Sequence, residues 1–323
     1  MSDGSKAGGW PGRVAVIGGG TMGGGFAQLL GVKDVDVAVI DSTPARTKTS
    51  VTNLKESAKD FERRGLFGTG DAERVAGRVR GADTIADAVA DVDLVFEAVF
   101  EDPELKRAVY AEVETAAPED AVLATNTSAI PIRELSATLK HPERFLGTHW
   151  FNPPQWVPCV EVIPGPETLE AVIERVDGFL TSIGKRPVTV GDAAGFVANR
   201  IQFAMFKEAA SCVADGVASP EEVDRIVRSS FGFRLPFFGP FAIADMAGLD
   251  VYAGAYEALE NDLGPRFSAP ARLDELLEEG RSGTKSGGGF LDPPPEGIPE
   301  MIEGRDVSYV ALSELIERLE ADS

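Results

Sequence analysis

Short apolar runs alternate with longer helical stretches through the first half of the chain. The runs RVAVI at residues 13–17 and VAVI at residues 37–40 have the length and the β-branched composition of buried strands. A helical stretch follows each run, and the second of these is capped by Thr43, with Pro44 at its first position. This alternation predicts a parallel α/β sheet. Strands are expected at residues 13–17, 37–40, 94–99, 122–126, 145–149, 160–163 and 188–190, and helices at residues 21–31, 103–116 and 167–183.

The pattern changes near Asp192, after which the chain contains helical stretches only. Ser219 and Pro220, for example, have the composition of a helix N-cap and first turn. A chain of 323 residues is about twice the usual length of one domain. We therefore expect an α/β sheet domain over residues 1–192 and an all-α helical domain over residues 193–323. The helices are expected at residues 196–215, after residues 219 and 239, and at residues 274–279 and 309–320, with a stiff proline spacer at residues 293–295.

The helical half contains more large apolar side chains than so small a bundle needs to bury. This excess indicates a partner surface and predicts a homodimer, with the helical domain also closing over the substrate. The residues concerned are Phe203, Met205, Phe206, Phe231, Phe237, Phe238 and Phe241.

Composition and charge narrow the classes of partner. The formal net charge is −21, so the surface repels nucleic acid and anionic membranes and resembles that of proteins adapted to concentrated salt. Because this negative surface also repels an anionic substrate, binding of such a substrate needs a local cluster of Arg and Lys. No run approaches the roughly 20 apolar residues of a membrane span, and the N-terminus lacks the apolar segment of a signal peptide, so a cytoplasmic protein is expected. Two Cys and two His are too few for a disulfide framework or a zinc cluster, so no metal is expected.

A glycine-rich segment after the first strand has the features of a dinucleotide site. Residues 18–23 read GGGTMG, which satisfies the pattern GxGxxG between a strand and a helix. The first glycine allows the tight turn, the second lets the backbone approach a pyrophosphate, and the third permits close packing of helix on strand. The helix N-terminus then faces the negative charge. The pattern predicts a Rossmann-type domain that binds the cofactor through Gly18, Gly20, Thr21, Met22 and Gly23.

Asp41 ends the second predicted strand, 18 residues after Gly23. At this position a carboxylate accepts hydrogen bonds from the adenosine ribose hydroxyls. The nearest basic residue after it, Arg46, lies a helical turn further on. A 2′-phosphate would therefore be repelled, which predicts NAD and not NADP as the cofactor.

His149 and Glu161 form the candidate catalytic pair. His149 ends a predicted strand in the segment THWFNP, where open α/β sheets present reactive groups. Oxidation of an alcohol needs a base that accepts the hydroxyl proton, and histidine titrates near neutrality. Glu161 lies in the apolar run VEVI, where a buried carboxylate is costly unless it is paired. Pairing with His149 would fix the imidazole tautomer and stabilise the imidazolium. The other histidine, His141, lies in a polar loop and is expected to be solvated.

Several separated motifs, in order, resemble the 3-hydroxyacyl-CoA dehydrogenase family over residues 13–290. They are VIGGGTMGGG, FEAVFED, ATNTSAI, HWFNP, VEVI, GFVANR, GPF with a downstream GLD, and KSGGGF. The resemblance implies NAD-dependent oxidation of the 3-hydroxyl group of a hydroxyacyl-CoA to the 3-oxo compound, as in fatty acid metabolism.

The resemblance also implies roles for particular residues. His149 would be the general base and Glu161 its partner, Ser128 would hydrogen-bond the substrate oxygen, and Asn199 would complete this polar frame. The residues implied for NAD contact are Asp41, Glu101, Lys106, Asn126, Ser128, Asn152 and Lys285. Those implied for coenzyme A are Ser57 and Arg64, with Lys55, Lys59 and Arg63 in the same basic stretch.

Three segments depart from the family's usual acyl-CoA pattern. Trp150 stands where Phe is usual, PQWVPC at residues 154–159 replaces a more aliphatic stretch, and FRLP at residues 233–236 replaces a short Pro–Met turn. These positions are expected to line the substrate pocket.

Two alternatives to an acyl-CoA dehydrogenase stay open. Relatives that oxidise carnitine or gulonate share the fold and the His–Glu pair, so a dehydrogenase of a small polar hydroxy compound is possible, with Arg234 as a carboxylate anchor. A non-enzymatic, crystallin-like cofactor-binding protein is the other alternative. The presence of His149, Glu161, Ser128 and Asn199 together argues against the latter.

Overall fold

The computed structural model describes residues 10–292 and 297–321. The chain divides into two compact units, residues 1–205 and 206–323. The strands are β1 (Arg13–Ile17), β2 (Asp36–Ile40), β3 (Val79–Gly81), β4 (Leu94–Glu97), β5 (Val122–Thr125), β6 (Phe145–Trp150), β7 (Cys159–Pro164) and β8 (Arg186–Thr189). The α-helices of the described residues are α1 (Thr21–Val32), α2 (Pro44–Arg63), α3 (Asp71–Arg78), α4 (Ile85–Val89), α5 (Pro103–Ala116), α6 (Ile132–Ser136), α7 (Glu170–Ser182), α8 (Ala198–Ala214), α9 (Pro220–Ser229), α10 (Phe231–Arg234), α11 (Pro240–Ala247), α12 (Leu249–Leu263), α13 (Ala271–Glu278) and α14 (Gly297–Ala321).

The first unit is built on one eight-stranded sheet with the strand order β3-β2-β1-β4-β5-β6-β7-β8. All neighbouring strands are parallel except β6 and β7, which pair antiparallel. This antiparallel pair is an exception within the sheet that was predicted to be parallel. The physical reason is the connection over residues 151–158, which contains no helix that could return the chain to the start of a parallel strand. The predicted α/β sheet domain followed by a helical domain is confirmed.

Both faces of this sheet are buried. Val14 and Val16 belong to one apolar cluster, whereas Ala15 and Ile17 belong to another. Successive side chains of a strand point to opposite faces, so the alternation places one cluster on each face of the sheet. Burial on both faces explains why the strands are continuous apolar runs in the sequence.

Several elements that the hydrophobic pattern did not predict are short, whereas the unpredicted helix α12 has 15 residues. β3, α4 and α6 have only three to five residues, and α3 lies in a polar stretch. β4 ends at Glu97, two residues earlier than predicted, because the Glu97 carboxylate accepts a hydrogen bond from the Val99 N–H and turns the chain. The proline spacer predicted at residues 293–295 lies outside the described residues.

The second unit contains the end of α8 and the helices that follow it. Its small buried cluster contains Leu249, Leu273 and Leu276. The buried Asp245 carboxylate accepts hydrogen bonds from the N–H groups of Phe290 and Leu291, at 3.0 and 2.8 Å. In the part of the chain that the structure describes, no helix is both long and apolar enough to cross a membrane.

Candidate active site

The order of the strands reverses between β1 and β4, which are neighbours although two strands separate them in sequence. Open α/β sheets bind ligands at the carboxyl ends of the strands at such a point. The glycine loop over residues 18–23 follows β1, and residues 98–101 follow β4. The two loops meet, because a Cβ atom on Gly18 would lie 2.5 Å from the Ala98 carbonyl oxygen.

The glycine loop fits a pyrophosphate. Gly18 has a φ of 101°, and a Cβ atom on Gly23 would lie 1.8 Å from the Gly18 carbonyl oxygen. Neither position accepts a side chain without displacing the backbone. Helix α1 begins at Thr21 with no side-chain cap and no acidic residue in its first turn, so its free N–H groups suit a phosphate anion.

An apolar cleft continues from this loop. Thr21 and Met22 line it on the side of α1, and Ile85, Val99 and Phe100 line it elsewhere. The Phe100 side chain is 78% exposed. An exposed aromatic ring in an apolar cleft suits a flat, planar base such as adenine.

Asp41 ends the cleft at the tip of β2. Its Oδ2 accepts a hydrogen bond from the Gly19 N–H at 3.2 Å, and its Oδ1 accepts one from the Ser42 N–H at 2.7 Å. Partial burial raises the pKa of Asp41, but these backbone hydrogen bonds outweigh burial and hold its pKa below the ordinary value. Arg46 adds to this effect, since its Nε lies 3.4 Å from Asp41 Oδ1. Asp41 is therefore an ionised carboxylate in the position predicted for a ribose contact.

Lys106 is completely buried, and its ammonium donates to both Glu97 carboxylate oxygens, at 2.7 and 2.9 Å. The ammonium also donates to the Asn126 carbonyl oxygen at 3.0 Å. Burial raises the pKa of Glu97, although the Lys106 ammonium beside it acts in the opposite direction. The pair links β4, α5 and the end of β5 beneath the loops of the site. The contact of Lys106 with NAD stays a prediction.

Glu101 connects the loop after β4 to the loop after β5. Its Oε1 accepts hydrogen bonds from Thr127 Oγ1, the Ser128 N–H at 2.8 Å and the Ala129 N–H at 3.1 Å. Asn126 Oδ1 accepts a hydrogen bond from the Trp150 N–H at 3.2 Å and so connects β5 to β6.

His149 and Glu161 lie directly opposite each other in the antiparallel register of β6 and β7. His149 Nδ1 is 2.7 Å from Glu161 Oε2, and both side chains are 4% exposed. Glu161 Oε1 accepts hydrogen bonds from the N–H groups of Val197 and Ala198, at 2.9 and 3.0 Å. The predicted contact between histidine and glutamate is therefore present, and two backbone donors fix the other carboxylate oxygen.

Ser128 and Asn199 extend this constellation. Ser128 Oγ lies 3.2 Å from His149 Nε2. Asn199 Nδ2 donates to the Ser128 carbonyl oxygen at 3.2 Å. The structure thus brings together the four residues for which sequence predicted a catalytic role, all within the first unit.

The other residues predicted to contact NAD or coenzyme A are not part of this hydrogen-bonded group. Asn152 is exposed just after β6. Lys285 belongs to the second unit, where its ammonium pairs with Asp250 Oδ1 at 2.8 Å. Ser57 Oγ accepts a hydrogen bond from Gln28 Nε2 at 2.5 Å, and Arg64 pairs with Asp60 at 3.4 Å. Their contacts with NAD or coenzyme A stay predictions.

The expectation that Trp150 lines the substrate pocket is wrong. Its side chain is 3% exposed and packs on Phe26 and Phe96, with ring centroids 4.8 and 5.7 Å away. The cause is strand alternation, because Trp150 follows His149 in β6 and must point to the opposite face. Trp156 in the following loop is 43% exposed and packs on Phe61, with the ring centroids 5.1 Å apart.

Sequence reasoning missed three side chains around the site. Glu97 is a carboxylate at the end of an apolar run, which is the same signal that identified Glu161. Arg46 follows Asp41 by a helical turn in sequence, and the sequence pattern does not indicate its 3.4 Å contact with that carboxylate. Lys185, which is 5% exposed, donates to the carbonyl oxygens of Pro154 and Val157 at 2.6 and 2.7 Å, and no sequence pattern indicates this contact.

The fold and the site define an oxidoreductase that uses a dinucleotide cofactor. The NAD binding domain of 3-hydroxyacyl-CoA dehydrogenase matches residues 13–193, and the C-terminal domain of the same enzyme matches residues 195–293. The chain belongs to the 3-hydroxyacyl-CoA dehydrogenase family, and it is an NAD-dependent dehydrogenase.

Individual relatives differ in the substrates that their names give. A 5-formyl-3-hydroxy-2-methylpyridine 4-carboxylate 5-dehydrogenase of Mesorhizobium japonicum is 36% identical over 308 residues, which cover 94% of this chain and 98% of the relative. The crystal structure of a 3-hydroxyacyl-CoA dehydrogenase from Archaeoglobus fulgidus is similar with a TM-score of 0.75 and 30% identity, covering 95% of this chain and 99% of the other. The (S)-3-hydroxybutyryl-CoA dehydrogenase of Ralstonia eutropha has a TM-score of 0.65 and 32% identity, covering 86% and 98%.

Proposed function

We propose that this dehydrogenase oxidises a hydroxyl group with His149 as the general base and Glu161 as its partner. The observation that carries the proposal is the hydrogen-bonded series Ser128 Oγ, His149 and Glu161, with contacts of 3.2 and 2.7 Å. A buried histidine that contacts a carboxylate through one nitrogen and a hydroxyl through the other has the arrangement of a positioned acid–base catalyst.

The proton positions that we assign follow from the donor and acceptor character of the partners of His149. An ionised carboxylate only accepts hydrogen bonds, so His149 Nδ1 carries the hydrogen that is donated to Glu161 Oε2. Nε2 is then the acceptor nitrogen, which here accepts from Ser128 Oγ and, with substrate bound, takes the proton of the substrate hydroxyl. Glu161 stabilises the imidazolium that results. Ser128, whose hydroxyl lies beside Nε2, hydrogen-bonds the same substrate oxygen, and Asn199 holds Ser128 through its backbone carbonyl.

The cofactor is held by the glycine loop, the N-terminus of α1 and Asp41. NAD, when bound, supplies the carbon that accepts the hydride. Arranging these groups in advance lowers the barrier to the reaction, because the reacting atoms and the base are already in position.

A 3-hydroxyacyl-CoA is the substrate class that we propose. Residues 44–64 carry six basic and three acidic side chains, a local excess of positive charge in a chain of net charge −21. Such a cationic stretch suits the phosphates of coenzyme A. Lys59 and Arg64 already pair with Glu56 and Asp60 of the same helix. Pairs of this exposed kind contribute only about 0.3–0.5 kcal/mol each, so a phosphate could displace the carboxylates.

A small hydroxy compound that bears a carboxylate is the second candidate. The similarity to a dehydrogenase of a formyl pyridine carboxylate along nearly the whole of both chains favours the carboxylate of this candidate. Arg234 would then be the carboxylate anchor, and no salt bridge or hydrogen bond to its side chain is present in the described part of the second unit. This candidate keeps the same His149 chemistry.

The test is NADH formation with a panel of 3-hydroxyacyl-CoAs of different chain lengths, carnitine, gulonate and a formyl pyridine carboxylate, at high salt. Turnover with CoA esters alone supports the first candidate, and an Arg64→Glu variant should then raise KM for those esters. Turnover with a free carboxylate, lost in Arg234→Gln, supports the second. A protein that oxidises none of them while it binds NADH would contradict both.

A further inference from the structure

Phe196 combines a left-handed backbone with a buried side chain. Its φ is +46°, and Asp34 is the one other non-glycine residue with positive φ in the described chain. A bulky residue in this region brings its Cβ atom close to a carbonyl oxygen, so the conformation persists only where the surrounding structure requires it. Such outliers cluster at functional sites.

The left-handed turn aims the start of α8 at Glu161. Gly195, with a φ of 71°, precedes Phe196, and α8 begins two residues later at Ala198. The first N–H groups of a helix have no partner within the helix. Here the N–H groups of Val197 and Ala198 donate to Glu161 Oε1.

The side chain of Phe196 packs on the imidazole. It is 3% exposed, and its ring centroid lies 5.6 Å from that of His149. Phe151 also contacts the imidazole, with ring centroids 4.6 Å apart. The orientation of His149 is therefore restricted by Glu161 through a hydrogen bond and by aromatic rings through packing.

We infer that Phe196 is a positioning residue for the His149–Glu161 pair. Its backbone directs two N–H donors to Glu161 Oε1, which leaves Oε2 aimed at His149 Nδ1, and its ring fixes the plane of the imidazole. The inference rests on the proposed role of His149 as the base. Phe196 acts through these two side chains and does not itself accept a proton.

A purely structural role makes a different prediction. Phe196 belongs to the apolar cluster that contains Ile130 and Ile132, and its ring could serve only to fill that cluster. In that case, substitutions would reduce the folded fraction, and turnover per folded molecule would stay constant.

Three variants separate these roles. Phe196→Leu keeps a buried apolar side chain, whereas Phe196→Gly removes the ring and relieves the left-handed backbone. Ala198→Pro removes one N–H donor to Glu161 at the first helical position, where proline is accepted. We expect kcat of Phe196→Gly and Ala198→Pro to fall by about 10-fold or more, which is part of the total effect of a positioned base. Phe196→Leu should recover part of the loss, and KM for NAD and the Kd for NADH should stay unchanged.

The matched controls introduce a glycine at another left-handed residue and a proline at the start of another helix, both away from His149 and Glu161. Asp34→Gly relieves the other left-handed residue, and Glu170→Pro places proline at the first residue of α7, where no hydrogen bond of the Glu170 N–H would be lost. Both should keep wild-type kcat. The kcat of His149→Gln tests whether His149 is the general base.

The outcomes are distinguishable. An inactive His149→Gln together with unchanged turnover per folded molecule in Phe196→Gly and Ala198→Pro would overturn the inference and leave the base in place. A loss explained wholly by a lower folded fraction would overturn it as well. An active, well-folded His149→Gln would instead overturn the proposed function.

Discussion

Arg46 Nε lies 3.4 Å from Asp41 Oδ1, so a guanidinium group stands next to the carboxylate predicted to bind the adenosine ribose. The Arg46 side chain is 63% exposed, whereas that of Asp41 is 15% exposed. Both residues line the cofactor cleft. Removal of the carboxylate would therefore leave an unpaired cation where the 2′-phosphate of NADP would bind.

We expect Asp41→Ala to weaken NAD binding by about 10-fold or more, since hydrogen bonds to a charged group contribute about 1.5–3 kcal/mol. The same change should improve the kcat/KM for NADP, because Arg46 becomes available to a phosphate. Fluorescence titration with NADH and NADPH, together with steady-state kinetics, measures both effects.

Arg46→Ala in the Asp41→Ala background is the control. It should remove the gain in NADP use, although Arg46→Ala alone should change NADP use little while Asp41 still repels the phosphate. Equal NADP use by the single and the double variant would show that Arg46 is not the phosphate ligand.

The second prediction concerns the base. His149→Ala should lower turnover by about 10²–10⁴-fold, the usual effect of a positioned general base. NADH affinity should be retained, because the glycine loop and Asp41 are separate from β6. Glu161→Gln should also lower turnover, and the double variant should be little worse than the worse single one, since the pair acts as a unit.

His141 supplies the matched control for the base, because it is an exposed histidine whose Nδ1 lies 3.2 Å from Glu143 Oε1. His141→Ala should leave turnover, NADH affinity and thermal stability unchanged. Near-normal turnover in a folded His149→Ala protein would end the proposed mechanism.

The catalytic pair shows what could be predicted from sequence. A carboxylate in an apolar run is costly unless paired, and the one histidine at a strand end was the available partner. Antiparallel pairing of β6 and β7 then places them opposite each other. The same reasoning applied to Glu97 would have predicted a buried cation, which the structure shows to be Lys106.

Other features depend on contacts that no local pattern contains. The position of Lys185 against Pro154 and Val157 joins segments about 30 residues apart. The left-handed backbone of Phe196 runs against local preference, so tertiary contacts alone explain it. Trp150, in contrast, could have been placed correctly by strand alternation, since neighbours in a strand face opposite sides.

The third prediction is a homodimer. No residue of α8 is buried, and Phe203 and Phe206 on it are 63% and 68% exposed. Val217 and Phe241 in the second unit are 74% and 53% exposed. Exposed apolar side chains in this number indicate a surface that a second copy covers. Light scattering at the salt concentration of the activity assay should give a molar mass twice that of one chain.

Phe206→Glu should shift this equilibrium towards the monomer, because a charge in an apolar interface is desolvated without a partner. Leu66→Glu, at a 43% exposed apolar residue on the first unit, is the matched control and should leave the mass unchanged. A monomer mass for the unaltered protein would contradict the prediction.

The fourth prediction concerns Lys185 and pH. Burial lowers the pKa of Lys185 from 10.5 to about 8. Between these two values the unfolded chain binds more protons at this residue than the folded chain does, so its contribution to the free energy of unfolding rises with pH. Below pH 8 both forms are protonated and the contribution is constant. Between the two pKa values, the contribution of Lys185 to the free energy of unfolding rises by at most about 1.4 kcal/mol per pH unit.

Urea unfolding of the wild type and Lys185→Met at several pH values between 7 and 10.5 measures this contribution by difference. The difference in unfolding free energy should be flat near pH 7 and then increase in favour of the wild type. Lys140→Met, at an exposed lysine, should show no such trend. A difference that falls or stays level above pH 8 would contradict the prediction.

The register of β6 and β7 has a consequence for how enzymes of this kind diverge. One inserted residue within β7 would turn the carboxylate of Glu161 to the opposite face of the sheet and abolish the pair. Insertions or substitutions in the loop over residues 151–158 would leave the register of the strands untouched. Proton transfer is thus inherited together with the sheet, whereas the part of the connecting loop beyond Phe151, which packs on the imidazole, can change. A lineage can acquire new substrates by altering loops while the same two side chains continue to perform the same chemistry.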